Sequence, residues 1–446
     1  MADRQRGEAK EHVLRMSKEQ GVKFIRLWFT DILGFLKSVS ITVEELDRAL
    51  EDGMGFDGSS IEGFARIDES DMVAMPDPNT FCLIPWRPKE YPVARMFCDV
   101  HMPGGEPFEG DPRYVLKRNL KLTTDLGYTF FVGPEMEFFY FKDADSPMPL
   151  DQGGYFDMTP MDAASDMRRD TILALEAMGV KAELSHHEVA PSQHEIDLRY
   201  TEALTMADNV MAFRFVAKQV AQRFGYYATF MPKPLSNANG SGMHVHQSLF
   251  KGERNAFFDK KDEYHLSKVA KYYIAGLLKH SEEITLVTSQ WVNSYKRLVP
   301  GYEAPVYISW ARRNRSDLIR IPQYQTGKEN ATRFEYRSPD PACNPYLTFA
   351  VMLAAGLEGI EKKYELPPPL EENAFEMTGE ERKRRGIATL PGSLSEAIHH
   401  AERSELLRKA LGGHVFRTFI ENKKIEWEQY RTEVTDYELK RYLPIL

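Results

Sequence analysis

Apolar and polar positions in the first hundred residues follow first a helical and then a strand-like spacing. Apolar residues recur at helical spacing over 8–20, and Gly21 can close that helix. Strand-like alternation follows in four stretches, over 22–28, 35–41, 81–84 and 93–100. We therefore expect residues 1–105 to form a small mixed domain, with a Pro- and Gly-rich linker at 103–107.

The pattern beyond residue 105 indicates a larger domain, 106–446, that ends in a helical region. Predicted helices cover 112–126, 162–179, 202–224, 264–280 and 344–364. Predicted strands cover 128–141, 181–187, 194–200, 226–231 and 242–250. Several of these strands follow one another without an intervening helix, which is typical of α+β proteins with antiparallel sheet.

Composition and charge narrow the function classes. The 446 residues include 57 Lys and Arg against 66 Asp and Glu, a formal charge of −9. That balance argues against direct binding of nucleic acid through bulk positive charge and suits a metal enzyme whose carboxylates hold cations. Three widely spaced cysteines argue against a disulfide framework. Without a signal-peptide pattern or an apolar run of bilayer length, we expect a cytoplasmic protein with no membrane contact.

The most informative local pattern is the stretch GPEMEFF, 133–139. Glu135 and Glu137 are two residues apart in a predicted strand, so their side chains share one face. Two adjacent carboxylates repel each other unless a cation lies between them. The alternative is a solvated strand face, which the apolar neighbours disfavour.

Four other stretches carry polar chemistry, although each is weak evidence by itself. They are an acidic loop with Glu188 and Glu195, an HxH pair at His244 and His246, an Arg-rich run over 312–320, and a strand with Glu335 and Arg337. Five glutamates with one histidine favour Mg²⁺ or Mn²⁺ over zinc. No P-loop or kinase signature is present, so ATP, if it is used, would be bound by metals and arginines in another arrangement.

Taken in order, four long motifs resemble glutamine synthetase of the bacterial type I. They are FDGSSIEG at 56–63, PEME at 134–137, NGSGMHVH at 239–246 and RFEYRSPDPACNPY at 333–346. The resemblance covers essentially the whole chain. It implies an ATP-dependent ligase that joins L-glutamate and ammonia through γ-glutamyl phosphate.

The resemblance also implies the metal ligands and the substrate contacts. Two or three Mg²⁺ or Mn²⁺ ions would be held in two groups of ligands, Glu135, His244 and Glu335 near ATP, and Glu137, Glu188 and Glu195 near glutamate. The matching glutamate and phosphoryl contacts are Asn239, Gly240, Arg297, Arg315 and Arg337, and the matching ATP contacts are Glu183, His246, Ser248, Arg315 and Arg320. Glu303 matches a flap residue that helps to deprotonate ammonium, and Asp57 matches the ammonium-site aspartate of a neighbouring subunit. From the residues alone, Asp57 would be an ordinary turn residue.

The implied architecture is an N-terminal β-grasp-like domain and a catalytic domain with a curved antiparallel sheet flanked by helices. The implied assembly is a dodecamer of two hexameric rings. The chain resembles the shorter, glutamine-inhibited Gram-positive form most. In that form Arg66 matches the inhibition arginine and Glu426 matches a regulatory C-terminal residue. Nitrogen-responsive transcription regulators would be possible partners.

Two alternatives remain open. A γ-glutamyl ligase for a larger amine would open or neutralise the ammonium pocket, and Asp57, Ser60 and Glu303 argue against that. A non-catalytic regulator would have lost part of the ligand set, whereas all six ligand positions are retained.

Overall fold

The computed structural model describes residues 2–63, 71–86, 90–312, 314 and 317–446. Two predicted functional residues, Arg66 and Arg315, lie outside the described residues. Among the helices that the structure does describe, none is both long and apolar enough to cross a membrane.

The N-terminal domain is a twisted sheet with two helices. Its elements are α1 (Ala2–Glu19), β1 (Phe24–Thr30), β2 (Leu36–Thr42), α2 (Leu46–Asp52), β3 (Met54–Asp57), β4 (Asp71–Pro76), β5 (Cys82–Leu83) and β6 (Val93–His101). The strand order is β2-β1-β6-β4-β3, with β5 beside β6. The central pair β1–β6 is parallel and the other paired strands are antiparallel. This arrangement confirms the predicted β-grasp-like fold.

The large domain contains a ten-stranded sheet covered by helices. Its strands are β7 (Thr129–Phe141), β8 (Ala182–His187), β9 (Gln193–Leu198), β10 (Thr201–Glu202), β11 (Tyr227–Thr229), β12 (Met243–Lys251), β13 (Arg254–Asn255), β14 (Tyr307–Ala311), β15 (Asp317–Arg320) and β16 (Phe334–Tyr336). Its helices are α3 (Pro112–Asp125), α4 (Ser165–Ala177), α5 (Ala203–Arg223), α6 (Lys268–Thr288), α7 (Ser294–Arg297), α8 (Pro345–Lys362), α9 (Gly379–Arg384), α10 (Leu394–Glu402), α11 (Glu405–Leu411), α12 (Gly413–Thr432) and α13 (Asp436–Tyr442).

The main path of this sheet runs β14-β15-β16-β12-β7-β9-β8. The pairs along it are antiparallel, as predicted, except β14–β15, which is parallel. The sheet is therefore mixed, although antiparallel pairing dominates.

One face of the sheet is packed against helices. On β7 the side chains of Met136, Phe138 and Tyr140 are fully buried in the main core. Glu135 and Glu137 alternate with them and therefore point to the opposite face. The predicted orientation of this strand is correct, and it places the acidic residues away from the core.

Helix α6 differs in extent from its predicted range of 264–280. The backbone of His265 has a positive φ of 55°, which helical backbone does not tolerate. Ser267 then caps the helix by accepting a hydrogen bond from the Ala270 amide at 3.1 Å. The helix therefore starts later than predicted and continues to Thr288.

Buried polar contacts join the two domains. The Asn344 side chain donates to the carbonyls of Asp31 and Ile32 at 3.2 and 3.1 Å. The Gln290 side chain donates to the Leu33 carbonyl at 2.7 Å. These bonds satisfy backbone groups that would otherwise be buried without partners, so they fix the N-terminal domain against the large sheet.

Candidate active site

Strand register assembles the acidic face of the large sheet. Glu135 on β7 lies opposite His244 on β12 and opposite Asp197 on β9. Two residues further along β7, Glu137 lies opposite Glu195. Residues that are distant in sequence thus form adjacent rows of carboxylate and imidazole groups.

The first cluster contains Glu135, His244 and Glu335. The Nδ1 atom of His244 lies 3.1 Å from Oε2 of Glu135 and 3.5 Å from Oε1 of Glu335. One ligand atom from each residue lies within 4.8 Å of the others. His246 adds a contact of 2.7 Å to Glu135, and Arg337 donates to Glu335 at 2.7 Å.

The electrostatics of this cluster favour ionised carboxylates. Burial alone would raise the pKa of Glu135, but the charge of His246 and hydrogen bonds from both histidines hold that pKa well below its ordinary value. Burial, followed by the charge of Arg337, lowers the pKa of His244. A neutral imidazole beside two carboxylates is a suitable ligand for a hard divalent cation.

The second cluster contains His186, Glu188 and Glu195. Nε2 of His186 lies 3.3 Å from Glu195, and its Nδ1 lies 3.7 Å from Glu188. One ligand atom from each residue again lies within 4.8 Å of the others. Glu137 lies between the two clusters, with its Oε1 at 3.8 Å from Nε2 of His244.

Like charges crowd the second cluster. Burial and then the charge of Glu188 raise the pKa of Glu137 to about 8, against hydrogen bonding from the Gly242 amide. Burial and then the charge of Glu137 raise the pKa of Glu195 well above its ordinary value. Buried carboxylates in such proximity are ionised together only when cations compensate them. The donor set of both clusters therefore fits divalent metal ions.

A cavity of about 200 Å³ opens over both clusters. Its wall includes Asn239, Gly240, Arg297, Glu303, Arg320 and Arg337. The Asn239 amide donates to Glu303 at 3.2 Å, which links two of the predicted substrate residues. A side chain at Gly240 would place its Cβ 2.3 Å from the Pro232 carbonyl, so only glycine fits there.

A second cavity, of about 240 Å³, lies on the other side of Glu135. Its wall includes three of the predicted ATP contacts, Glu183, His246 and Ser248. Glu135 lines both cavities. One proposed metal ligand thus stands between the predicted glutamate and nucleotide regions.

Two predicted residues stand apart from these cavities. The Asp57 carboxylate accepts a hydrogen bond from the Ser59 amide at 2.9 Å and lies in the N-terminal domain, at the end of β3. Glu426, on α12, accepts from the Val292 amide at 2.9 Å and lines a separate cavity of about 740 Å³.

Several residues of the site were not predicted from the sequence. His186 lies near the end of β8, two residues before Glu188, and that spacing was an available signal. Asp197 belongs to the site because it lies opposite Glu135 in the sheet, and the sequence does not specify that register. Arg333 donates to His246 at 3.3 Å and lines the second cavity. The sequence motif that contains Arg333 was recognised, but no role was predicted for this residue.

Comparison with known proteins shows the family of the chain. The family model "Glutamine synthetase, catalytic domain" matches residues 109–442, and "Glutamine synthetase, beta-Grasp domain" matches 21–103. The chain is 56% identical to the glutamine synthetase of Mycolicibacterium smegmatis over 98% of this chain and 99% of that protein. It is 55% identical to the glutamine synthetase of Methanosarcina mazei over 98% of both chains.

A solved structure, a GmaS/ADP complex, superposes with a TM-score of 0.89 at 31% identity, covering 97% of this chain and 99% of that one. The fold is thus shared with that structure over nearly the full length, and both domains match the family models. The chain belongs to the glutamine synthetase family, whose ligases condense glutamate with ammonia using ATP and divalent metal ions.

Proposed function

We propose that the chain condenses L-glutamate and ammonia to L-glutamine through γ-glutamyl phosphate, with ATP as the phosphoryl donor. The γ-carboxylate of glutamate attacks the terminal phosphorus of ATP and releases ADP. Ammonia then displaces phosphate from the acyl carbon. The observation that carries this proposal is the convergence of Glu135, His244 and Glu335 beside the Arg337 guanidinium.

Two or three Mg²⁺ or Mn²⁺ ions are proposed for the acidic face. Glu135, His244 and Glu335 would hold one ion, and Glu137, Glu188 and Glu195 another. When bound, these ions would neutralise the charge of the phosphates and the carboxylate that approach each other. His186, at 3.3 Å from Glu195, is a further candidate ligand of the second group.

The arginines of the cavity are proposed to hold the anionic substrates. Arg337 is buried, and its bond to Glu335 fixes the direction of its guanidinium. Arg297 is anchored through donation to the Ser338 and Arg337 carbonyls at 2.7 and 3.1 Å. Pre-oriented guanidiniums stabilise developing charge without reorganising. Asn239, Gly240 and Arg315 complete the proposed contacts to glutamate and the phosphoryl group.

The nucleotide is proposed to bind against Glu183, His246 and Ser248, with Arg315 and Arg320 on its phosphates. Arg320 forms an ion pair with Glu335 on the neighbouring strand, so it lies next to the first cluster. The similarity to the GmaS/ADP complex supports a nucleotide site in this fold.

Ammonium is proposed to bind near Glu303, with Asp57 supplied by another copy of the chain. Asp57 lies in the N-terminal domain rather than among the residues that line the cavities described above. We therefore propose a shared site in a dodecamer of two hexameric rings. We propose that the domains divide at 105–106, which lies between the stretches that the two family models match.

Regulation is proposed to follow the glutamine-inhibited form that the sequence resembles. Arg66 would sense glutamine, and Glu426 would affect the response from α12. Nitrogen-responsive transcription regulators are the proposed protein partners of the inhibited enzyme.

Isotope transfer tests the reaction. With ¹⁸O in the γ-carboxylate of glutamate, each phosphate released with glutamine should carry one ¹⁸O, because ammonia leaves that oxygen on phosphorus. Mass spectrometry of the phosphate gives the result. Unlabelled phosphate released together with glutamine would overturn the proposed intermediate.

A further inference from the structure

Lys233 is a buried lysine that contacts two loops of the cavity. The residue is 8% exposed. Its Nζ donates to the Ala238 carbonyl and lies 3.7 Å from the centroid of the Tyr302 ring. Ala238 directly precedes Asn239, and Tyr302 directly precedes Glu303. One ammonium group therefore contacts each loop at the residue before a proposed functional side chain.

The backbone of Lys233 is itself held in place. The Asn293 side chain accepts from the Lys233 amide at 2.7 Å and donates to the Lys233 carbonyl at 3.0 Å. The neighbouring Pro232 carbonyl accepts from the Ser241 amide at 2.8 Å. Because the backbone of Lys233 and the carbonyl of the preceding Pro232 are both hydrogen-bonded, the Lys233 side chain extends from a fixed base.

The two loops that Lys233 contacts also meet at the Asn239–Glu303 hydrogen bond of 3.2 Å. Glu303 is exposed and has a φ of 57°, a left-handed conformation that non-glycine residues adopt only when their surroundings hold it. A cation against the face of an aromatic ring is attracted by the negative charge of that face, and the attraction is stronger away from water. The contact to Tyr302 is therefore strong enough to bias the position of the Glu303 loop.

We propose that Lys233 is a positioning residue, which holds the Glu303 loop against the Asn239 loop so that the acyl phosphate meets ammonia and not water. This inference rests on the proposed roles of Asn239 and Glu303. If the loop loosens, water can displace phosphate and regenerate glutamate. ADP would then form without an equivalent of glutamine.

The test measures ADP and glutamine together in purified variants of the full chain. Lys233→Met keeps the length of the side chain but removes its charge and its donor. We expect ADP to exceed glutamine and the KM for ammonium to rise about tenfold, the ratio that corresponds to about 1.4 kcal/mol. Lys233→Arg should restore most of the coupling because it keeps a cation near the ring.

The matched control is Lys279→Met. Lys279 is exposed and lies 4.4 Å from the Tyr364 ring centroid, outside both cavities. The Lys279→Met variant should release ADP and glutamine in equal amounts. Equal amounts from Lys233→Met, with the parent KM for ammonium, would overturn the proposal.

A second pair of variants decides the question if Lys233→Met does not fold. Tyr302→Leu removes the ring, whereas Tyr302→Phe keeps its face. We expect uncoupled ADP release from the leucine variant alone, and coupled turnover in both would overturn the proposal. A parent protein that makes no glutamine would instead contradict the proposed function, so the two failures are distinguishable.

Discussion

Glu135 and His244 face each other across strands β7 and β12, with 3.1 Å between Oε2 and Nδ1. Glu335 approaches the same imidazole nitrogen from the next strand, at 3.5 Å. Three strands that are far apart in sequence thus contribute one donor group each to the first cluster.

The first prediction concerns the loss of one charge from the first cluster. Glu335→Gln keeps the shape of the side chain but weakens both the proposed metal site and the anchor of Arg337. Bound metal ions stabilise the charge of the phosphoryl group in the transition state by several kcal/mol. The value of kcat/KM for ATP-dependent turnover should therefore fall at least about 100-fold. Mn²⁺ binding, measured by calorimetry, should weaken in parallel. Glu253→Gln, on an exposed turn, is the control, and near-parental turnover of Glu335→Gln would discredit the metal assignment.

The second prediction concerns feedback. Arg66→Ala should retain synthesis of glutamine but lose sensitivity to added glutamine, since the arginine is proposed to bind the inhibitor and not the substrates. Initial rates across a glutamine titration provide the measurement. Equal inhibition of the variant and the parent would refute this role.

The third prediction concerns the contribution of Glu426 to the stability of the fold. Its carboxylate accepts from the Lys423 ammonium at 2.8 Å, and that lysine is fully buried. Glu426→Ala leaves the buried charge without its carboxylate, which should cost about 3–5 kcal/mol of unfolding free energy. Urea unfolding measures the loss, and the double variant with Lys423→Met should recover most of it. Parental stability of the single variant would show that the pair does not support the fold.

The fourth prediction is a pH dependence at the contact between the two domains. Nε2 of His414 lies 2.7 Å from Glu62, and this hydrogen bond raises the pKa of His414 above 6.5, against the effect of burial. The stabilisation is complete below pH 6.5 and is lost as pH rises through the raised value. The melting temperature of the parent should therefore exceed that of His414→Gln more just below pH 6.5 than above the raised pKa, with the difference shrinking as pH rises. His399→Gln, at an exposed position, controls for loss of a histidine, and a difference independent of pH would contradict the prediction.

Local patterns were sufficient for part of the fold and site. The common face of Glu135 and Glu137 follows from alternation within one strand, and the two-domain α+β organisation follows from the order of elements. Register between strands is a tertiary property, so the approach of Asp197 to Glu135 could not be read from the sequence. The position of Lys233 between two loops depends on how both loops fold over the sheet, and no spacing in the sequence indicates it.

We propose above all that ammonia is the nucleophile accepted at this site. The most direct measurement is a competition in which the protein receives glutamate, ATP, Mg²⁺ and equal concentrations of ¹⁵N-ammonium and methylamine, with products resolved by mass spectrometry. We predict that ¹⁵N-glutamine dominates, because the proposed ammonium site, with the carboxylates of Glu303 and of Asp57 from another copy, suits a small cation that must be deprotonated. Predominance of the N-methyl amide would contradict the account and indicate a ligase for larger amines.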